Sequence, residues 1–323
     1  MTNDPSVFFY HGQKTDKIDR DAYTAVVVEE GCAEIAKYAF AYWENLISVT
    51  IPEGVRKIGN GAFWCCENLT SVDLPESVTE IGAYAFALTG LTSAKIPSGV
   101  KEIGERTFVS CEALKKVELP DGLLRIGKRA FCYCESLESA EIPDTVTEIG
   151  ESAFSCCSSL PSVTIPGGVR IIEEDAFSAC LALSSLTIGN GVEVIGWSAF
   201  YGCSSLSSLT LPESVRILDD FSFHGCKALT SLTIPDGVET VGRFAFGFSH
   251  ALASVSVGAS VKSVWSNAFD GCFALTNVAF AEPEGWYVKR RWFSRPAPLS
   301  LSDPAEAAKL MKADRDRHRW FRK

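Results

Sequence analysis

Long hydrophobic runs are missing from this chain of 323 residues. No stretch approaches the 18 consecutive apolar residues that a membrane-spanning helix needs. The first ten residues carry an early acid, Asp4, and lack the basic-then-apolar order of a secretory signal peptide. Two interpretations of the compartment stay open: either the protein remains inside the cell, or a leader was removed before this sequence begins.

Catalytic and metal-binding motifs are also scarce. The four histidines (His11, His224, His250 and His318) are far apart in sequence and belong to no recognisable nucleophile or metal motif. The numerous acids lie in turns and strands without a fixed partner for acid–base chemistry. We therefore expect no enzymatic activity, no bound metal and no cofactor.

What the sequence has instead is a phenylalanine that returns at a nearly constant interval. The interval is 23 residues, except for one of 22 between Phe86 and Phe108. The eleven members of this phenylalanine column are Phe40, Phe63, Phe86, Phe108, Phe131, Phe154, Phe177, Phe200, Phe223, Phe246 and Phe269. A fixed apolar skeleton at such a period indicates one unit stacked on copies of itself, so the chain is predicted to fold as a repeat solenoid.

Each repeat contains two extended segments and one compact corner. In residues 137–154, apolar and polar residues alternate up to Ile142, Pro143 opens a turn, and a second segment ends at Ile149-Gly150. Each coil should therefore hold two short strands and a helical corner, with rungs about 4.8 Å apart and a total length of roughly 50 Å. The 22-residue interval shortens one corner, and we expect a local kink at residues 88–90.

The frame Leu-x-x-Val-x-Ile-Pro-x-x-Val-x-x-Ile-Gly-x-x-Ala-Phe-x-x-Cys resembles the repeat of BspA-like leucine-rich repeat proteins. The resemblance covers residues 24–281, and residues 285–288 and 301–305 are similar to that family's closing segment. It implies a right-handed coil and a role in adhesion or protein binding, with many members on bacterial surfaces. It supplies no catalytic residues.

Three regions are predicted from this pattern. Residues 1–23 form an N-terminal cap, with residues 7–10 covering the first rung, and residues 24–281 form the solenoid. Residues 282–323 form a C-terminal cap with a final strand around Trp286, Val288 and Trp292. A basic helix should begin at Asp303 and run towards Trp320 and Phe321.

The C-terminal cap differs in charge from the rest of the chain. It carries a net charge of +5, whereas the whole chain carries −10. The basic clusters at 289–291 and 315–319 favour a solvated capping face over nucleic-acid binding, because no nucleic-acid motif accompanies them.

The cysteines follow the repeat. Eight of the twelve lie three residues after a column phenylalanine: Cys66, Cys111, Cys134, Cys157, Cys180, Cys203, Cys226 and Cys272. This placement predicts a column of buried thiols rather than disulfides or a metal site. Cys32 is also expected in the core, whereas Cys65, Cys132 and Cys156 are expected to face outward.

Two surfaces are candidates for partner binding. The first is a set of outward hydroxyl groups on the strands: Ser162, Thr164, Ser185, Thr187, Ser208, Thr210, Ser231 and Thr233. The second is a set of aromatic residues at the later corners: Trp197, Tyr201, Phe221, His224, Phe244, Phe248 and Trp265. The hydroxyl groups suit a solvated strand face, a protein or glycan surface, or ordered water, and the aromatic residues suit either packing between rungs or interface anchors.

Two functional hypotheses result. The first is a surface adhesion protein that binds a host or matrix protein, or a glycan. The second is an intracellular interaction scaffold, which the many unpaired thiols favour.

Overall fold

The structure is a computed structural model that describes residues 4–289, 297–313 and 319–322. Its contacts divide the chain into two units, Met1–Leu160 and Pro161–Lys323. Each unit is a coil of short parallel strands joined by turns, and helical structure is confined to a few short segments of the described chain. The predicted repeat solenoid is therefore confirmed.

The first unit contains two columns of strands, and each column is divided into two three-stranded parallel sheets. The strands of the first column are Val7–Tyr10, Ala25–Val28, Ser48–Thr50, Ser93–Lys95, Lys116–Glu118 and Ser139–Ala140. The strands of the second column are Glu34–Ile35, Lys57–Ile58, Glu80–Ile81, Glu102–Ile103, Arg125–Ile126 and Glu148–Ile149. A short 3-10 helix at Arg20–Ala22 precedes the second strand of the first column.

The second unit repeats this arrangement and adds a closing segment. Its first column is Ser162–Ile165, Ser185–Ile188, Ser231–Ile234, Ser254–Val257 and Asn277–Phe280. Its second column is Ile171–Ile172, Val194–Ile195, Ile217–Leu218, Thr240–Val241 and Ser263–Trp265. The remaining elements are a 3-10 helix at Ser266–Phe269, strands Trp286–Lys289, Ala297–Pro298 and Arg319–Arg322, and the helix Pro304–Ala313.

The backbone of each corner forms hydrogen bonds to the next coil and contains residues with positive φ angles, which the sequence pattern did not predict. Tyr38, Phe40 and Tyr42 each donate their N–H to a carbonyl of the next coil, at 2.9, 2.8 and 2.7 Å. Turns between residues three apart fill the gaps between these bonds, as in Ala41 N–H to Tyr38 O. Two corner residues four positions apart adopt a positive φ, 57° at Tyr38 and 62° at Tyr42, although non-glycine residues rarely do so. The bonds between coils hold this conformation in place.

The phenylalanine column forms the centre of each unit. In the first unit, neighbouring rings from Phe40 to Phe154 stack with centroids 5.2 to 5.5 Å apart. In the second unit, the rings from Phe177 to Phe269 stack at 5.1 to 5.5 Å. All of these rings are fully buried, so the repeat period of the sequence becomes a continuous stack within each unit.

The column of thiols lies beside the rings, as predicted. Cys66 donates its S–H to the carbonyl of Phe40 in the preceding coil at 3.1 Å. The same bond, at 3.0 to 3.8 Å, is made by Cys111, Cys134, Cys157, Cys203, Cys226 and Cys272. Burial raises the pKa of Cys66 to about 12, so the thiol stays protonated and acts as a small core side chain.

Two cysteine predictions were wrong. Cys132 was expected to face outward but is only 5% exposed, because it directly follows Phe131, at a corner position where Ala41 and Ala87 are also covered. Cys32 was expected in the core but is half-exposed, because it lies in the first repeat and only the N-terminal segment covers one side of it. Its Sγ lies 3.6 Å from the carbonyl oxygen of Tyr10. Cys65 and Cys156 are partly exposed, as predicted.

The short repeat disturbs the strands but leaves the ring stack intact. Phe86 and Phe108 stack at 5.5 Å with an angle of 9° between their planes, as closely as their neighbours do. Strand pairing in the second column, however, stops at Glu80–Ile81 and resumes at Glu102–Ile103. A notch of about 310 Å³ lies beside Leu88, Thr89 and Gly90, where the repeat is one residue short. The kink expected at residues 88–90 stays a prediction.

The closing segment differs from the prediction in its last element. The helix starts where expected: Asp303 Oδ1 accepts hydrogen bonds from the N–H groups of Ala305 and Glu306, at 2.9 and 3.4 Å. Its described part spans Pro304–Ala313, and Trp320 lies in a strand rather than in the helix. Residues 319–322 form a strand between Ser263–Trp265 and Trp286–Lys289. Because side chains alternate along a strand, Trp320 is buried and Arg319 is exposed.

Parts of the predicted C-terminal cap lie outside the described residues. These are Trp292, the basic residues at 290–291, and residues 314–318 with His318. In the part of the chain that the structure covers, no helix is long and apolar enough to cross a membrane.

Candidate functional site

Six aromatic side chains meet on the corners of the second unit, and we call them the corner aromatic surface. They are Trp197, Tyr201, Phe221, His224, Phe244 and Phe248. Tyr201 and His224 each follow a column phenylalanine directly, and Phe221 and Phe244 each precede one by two residues. Because the coils stack in register, equal positions lie above one another. Tyr201 therefore stacks on His224 at 4.8 Å and Phe221 on Phe244 at 5.2 Å.

Diagonal contacts join these pairs into one cluster. Trp197 meets the edge of Phe221 at 6.0 Å, and His224 lies 5.6 Å from Phe221 and 5.2 Å from Phe248. Trp197 is 42% exposed, and Tyr201 and Phe248 are each 41% exposed. The cluster therefore presents apolar ring faces to solvent while its members hold one another in place.

His224 occupies the centre of this surface. Burial among the rings lowers the pKa of its imidazole, and the Asp270 carboxylate partly opposes the shift. The neutral imidazole is thus favoured, which suits its stacking on Tyr201.

Trp265 is not part of the cluster, although it was predicted with the others. Its half-buried indole lies beneath the guanidinium of Arg243, 4.2 Å from the ring centroid, with the Arg319 guanidinium at 6.0 Å. Trp265 also pairs with Arg319, and this antiparallel pairing connects the strand Ser263–Trp265 to the C-terminal strand Arg319–Arg322.

Two further residues extend the surface and were not singled out from the sequence. His250 lies 6.2 Å from Phe248 and stacks on Phe273 at 5.2 Å, and Phe273 is 71% exposed. Both lie four residues after a column phenylalanine, where the first unit has exposed glutamates at 44, 67, 112 and 135. The change from acids to rings at one repeat position was the signal that could have identified them.

The predicted hydroxyl groups are all exposed, and all except those of Ser208 and Thr210 lie on regular strands of the second unit. Parallel pairing aligns Ser162 with Ser185 and Thr164 with Thr187. The alignment weakens at residues 208–211, where an isolated bridge between Thr210 and Thr233 replaces a regular strand. The hydroxyl groups therefore form two short aligned sets on a different element of the coil from the aromatic rings.

A charged cleft of about 530 Å³ in the second unit is lined by Arg216, Glu239, Lys262 and Arg322, among others. These four side chains have partners within the chain. Lys262 pairs with Glu239 at 2.7 Å, while Arg216 and Arg322 donate to backbone carbonyls at 2.9 and 2.7 Å. Among the described residues, no group of three His, Cys, Asp or Glu side chains is placed to hold a metal ion.

The repeat matches a known family over most of its length. The profile of the BspA type leucine-rich repeat region, in six copies, matches residues 20–137, 79–206 and 193–295. The chain belongs to the BspA type leucine-rich repeat family. Members of this family are repeat scaffolds that generally take part in protein interactions and are typically not enzymes.

The chain is similar to solved structures of bacterial proteins. A leucine rich cell surface protein from Faecalibacterium prausnitzii is 30% identical, with a TM-score of 0.52 over 85% of this chain and 83% of its own. A leucine-rich repeat protein from Bacteroides ovatus is 22% identical, with a TM-score of 0.41 over 87% and 93%. A leucine rich repeat protein from T. pallidum is 28% identical, with a TM-score of 0.42 over 64% and 86%. No curated protein sequence matches the chain.

Proposed function

We propose that this chain is a non-enzymatic binding protein that captures a macromolecular partner, most directly another protein, on the corner aromatic surface. The observation that carries the proposal is the continuous contact of six aromatic side chains with three large rings open to solvent. Exposed tryptophan, tyrosine and phenylalanine are enriched at protein interfaces and supply much of their binding energy.

The rigidity of the surface supports this role. Each ring is mounted on a corner whose N–H groups bond to the next coil, for example Phe221 N–H to Arg243 O at 2.7 Å and Phe248 N–H to Asp270 O at 2.7 Å. A surface that is ordered before binding loses little conformational entropy when the partner docks. The stack of Tyr201 on His224 further limits ring motion.

Similarity to a cell surface protein supports an extracellular partner. The Faecalibacterium prausnitzii relative is described as a cell surface protein, and it is similar over most of both chains. We therefore propose that the partner is a protein presented outside the cell, such as a host or matrix protein, with a glycan as the alternative ligand.

The test is affinity capture with the intact chain immobilised as bait, compared with a Trp197→Ala/Phe248→Ala double variant. Both side chains are about two-fifths exposed, so their removal should leave the melting temperature nearly unchanged while the captured partner is lost. The matched control is Tyr38→Ala/Tyr42→Ala, which removes two exposed rings from corners of the first unit.

The two variants separate the outcomes. Loss of the partner with the first pair and retention with the second supports binding on the corner aromatic surface. Equal capture by the wild type and both variants would remove that surface from consideration, and treatment of the partner with glycosidases would distinguish a glycan from a protein ligand.

A further inference from the structure

Two cysteines of the first unit lie on consecutive coils, offset by one residue. Cys132 directly follows Phe131, and Cys156 lies two residues after Phe154. The Tyr133 N–H donates to the Ser155 carbonyl at 2.9 Å, which places the two corners in parallel register. Adjacent Cα atoms are about 3.8 Å apart and stacked rungs about 4.8 Å, so this diagonal gives a Cα separation of about 6 Å. Disulfides most often have a Cα separation of about 5.5–6 Å.

The two side chains also converge on the same neighbour. Ser155 Oγ lies 3.8 Å from Cys156 Sγ. Ser155 is also a hydrogen-bonding neighbour of Cys132, where burial raises the pKa to about 11 and the nearby Cys156 adds to the effect. Cys156 in turn interacts with the Tyr133 hydroxyl group and is the chief cause that raises the pKa of Tyr133.

This geometry differs from that of the buried thiol column. Cysteines in that column lie directly above one another, and Cys66 and Cys111 donate their S–H to backbone carbonyls of the preceding coil. Side chains in one column point in parallel, so their Cβ atoms stay about one rung spacing apart. That distance exceeds the Cβ separation of about 3.8 Å in real disulfides. Cys132 and Cys156 are offset by one residue, so this parallel alignment within one column does not apply to them.

We propose that Cys132 and Cys156 are an oxidation site whose two thiols join in a disulfide between coils when the protein meets a small-molecule disulfide. The Cys156 thiolate, which is the more exposed of the two, attacks the reagent disulfide and releases one reagent thiolate. The Cys132 thiolate then attacks the Cys156 sulfur and releases the second. Two protein thiols are oxidised, one reagent disulfide is reduced to two thiols, and the two cysteine protons are carried by those thiols.

Cys65 provides a matched control within the chain. It occupies the same corner position as Cys156, is also partly exposed, and is also followed by a buried column cysteine. The residue that corresponds to Cys132 in the coil below is Ala41. Cys65 can therefore form a mixed disulfide with the same reagent, but it has no diagonal thiol to attack that mixed disulfide and release the reagent.

The experiment treats the folded full-length protein with oxidised glutathione, blocks remaining thiols with N-ethylmaleimide, and maps the peptides by mass spectrometry. In the wild type, we expect a cross-linked peptide pair containing Cys132 and Cys156, and a stable glutathione adduct on Cys65. In Cys132→Ser, the adduct should persist on Cys156 as it does on Cys65. In Cys156→Ser, Cys132 should remain unmodified.

Two outcomes would overturn the proposal. One is a persistent adduct on Cys156 in the wild type, equal to that on Cys65, and the other is a bond from Cys156 to any cysteine except Cys132. The substitution Ala41→Cys gives an independent check that requires no loss of a core group. It should create a second cross-link, to Cys65, because the Tyr42 N–H donates to Trp64 O with the same register, at 2.7 Å.

Discussion

The imidazole ring of His224 lies parallel to the ring of Tyr201, with an angle of 1° between the planes and 4.8 Å between the centroids. The stack exists because both residues directly follow a column phenylalanine on successive coils. Burial lowers the pKa of His224, and Asp270 opposes the shift. The arrangement therefore favours a neutral imidazole.

Acidification should weaken the second unit through His224. An unfolded histidine titrates near pH 6.5, and the folded pKa is lower, so the unfolded state binds more protons between the two values. Stability should fall as the pH drops from 7.5 to 5. Replacing His224 with Phe should reduce that fall, measured as the difference in melting temperature between the two pH values.

The control for this prediction is His250→Phe, since His250 is exposed at the edge of the cluster. That variant should keep the pH dependence of the wild type. If His224→Phe melted with the same pH dependence as the wild type, the central imidazole would not be the group responsible.

Ser222 is expected to destabilise the protein. It occupies the position before a column phenylalanine where Ala199 and Ala245 stand in the adjacent coils, and it is fully buried. Among the described residues, its Oγ has no hydrogen-bond partner. A buried unsatisfied polar group costs about 1–3 kcal/mol, so Ser222→Ala should raise the free energy of unfolding by an amount of that order.

Thr107 is the matched control, because it occupies the same repeat position in the first unit. Its Oγ1 donates to the carbonyl of Gly104 at 3.0 Å. Thr107→Ala should lower the free energy of unfolding by about 1 kcal/mol. Chemical denaturation of both variants would measure the opposite signs, and a stability loss in both would contradict the argument.

Thiol labelling should divide the twelve cysteines into two groups. Cys32, Cys65 and Cys156 are partly exposed, whereas the other nine are buried. Burial raises the pKa of Cys272 to about 12, and only thiolates react readily. A maleimide reagent at pH 7.5 should therefore label three cysteines in the folded protein and all twelve in denaturant, as counted by mass spectrometry. Rapid native labelling of column cysteines would show that the coils open.

Trp286 should be essential to the closing segment, for which we propose a capping role. Its indole is buried, packs against Phe280 at 5.1 Å and donates Nε1–H to the Glu282 carbonyl at 2.9 Å. Trp286→Ala should lower the free energy of unfolding by about 3–5 kcal/mol. Phe273→Ala, at an exposed ring, should change it by less than about 0.5 kcal/mol. An unchanged melting temperature of Trp286→Ala would exclude a capping role.

Sequence periodicity predicted what depends on repetition. The phenylalanine stack, the thiol column and the two strands per coil all follow from a side chain that recurs in register, so Phe63 and Cys66 could be placed before any coordinates. The left-handed corner residues could not, because Tyr38, Cys65 and Phe248 have no feature that favours a positive φ. Bonds between coils impose that conformation, and they exist only after stacking.

Predictions failed after the last repeat and at repeat positions whose neighbouring side chains differ from coil to coil. The helix that starts at Asp303 was expected to run towards Trp320, but Trp320 pairs with Val264 in a strand. Cys132 was expected outside because it lies off the thiol column, yet its side chain is covered, as those of Ala41 and Ala87 are at the same repeat position. Which aromatic residues touch also depended on diagonal neighbours, which is why Phe273 was missed and Trp265 was placed with the wrong group.

The bonds between coils run in both directions. Phe40 donates its N–H to Ala62 in the coil above, while Cys66 in that coil donates its S–H back to the carbonyl of Phe40. Six further column cysteines make the same S–H bond, whereas Thr89 donates to Phe86 in its own coil and Ser249 Oγ has no partner among the described residues. Within a unit, inserting or deleting one 23-residue segment that carries such a cysteine would leave its junctions with the same donors and acceptors, so a gene encoding this chain could change its number of coils without redesigning the others.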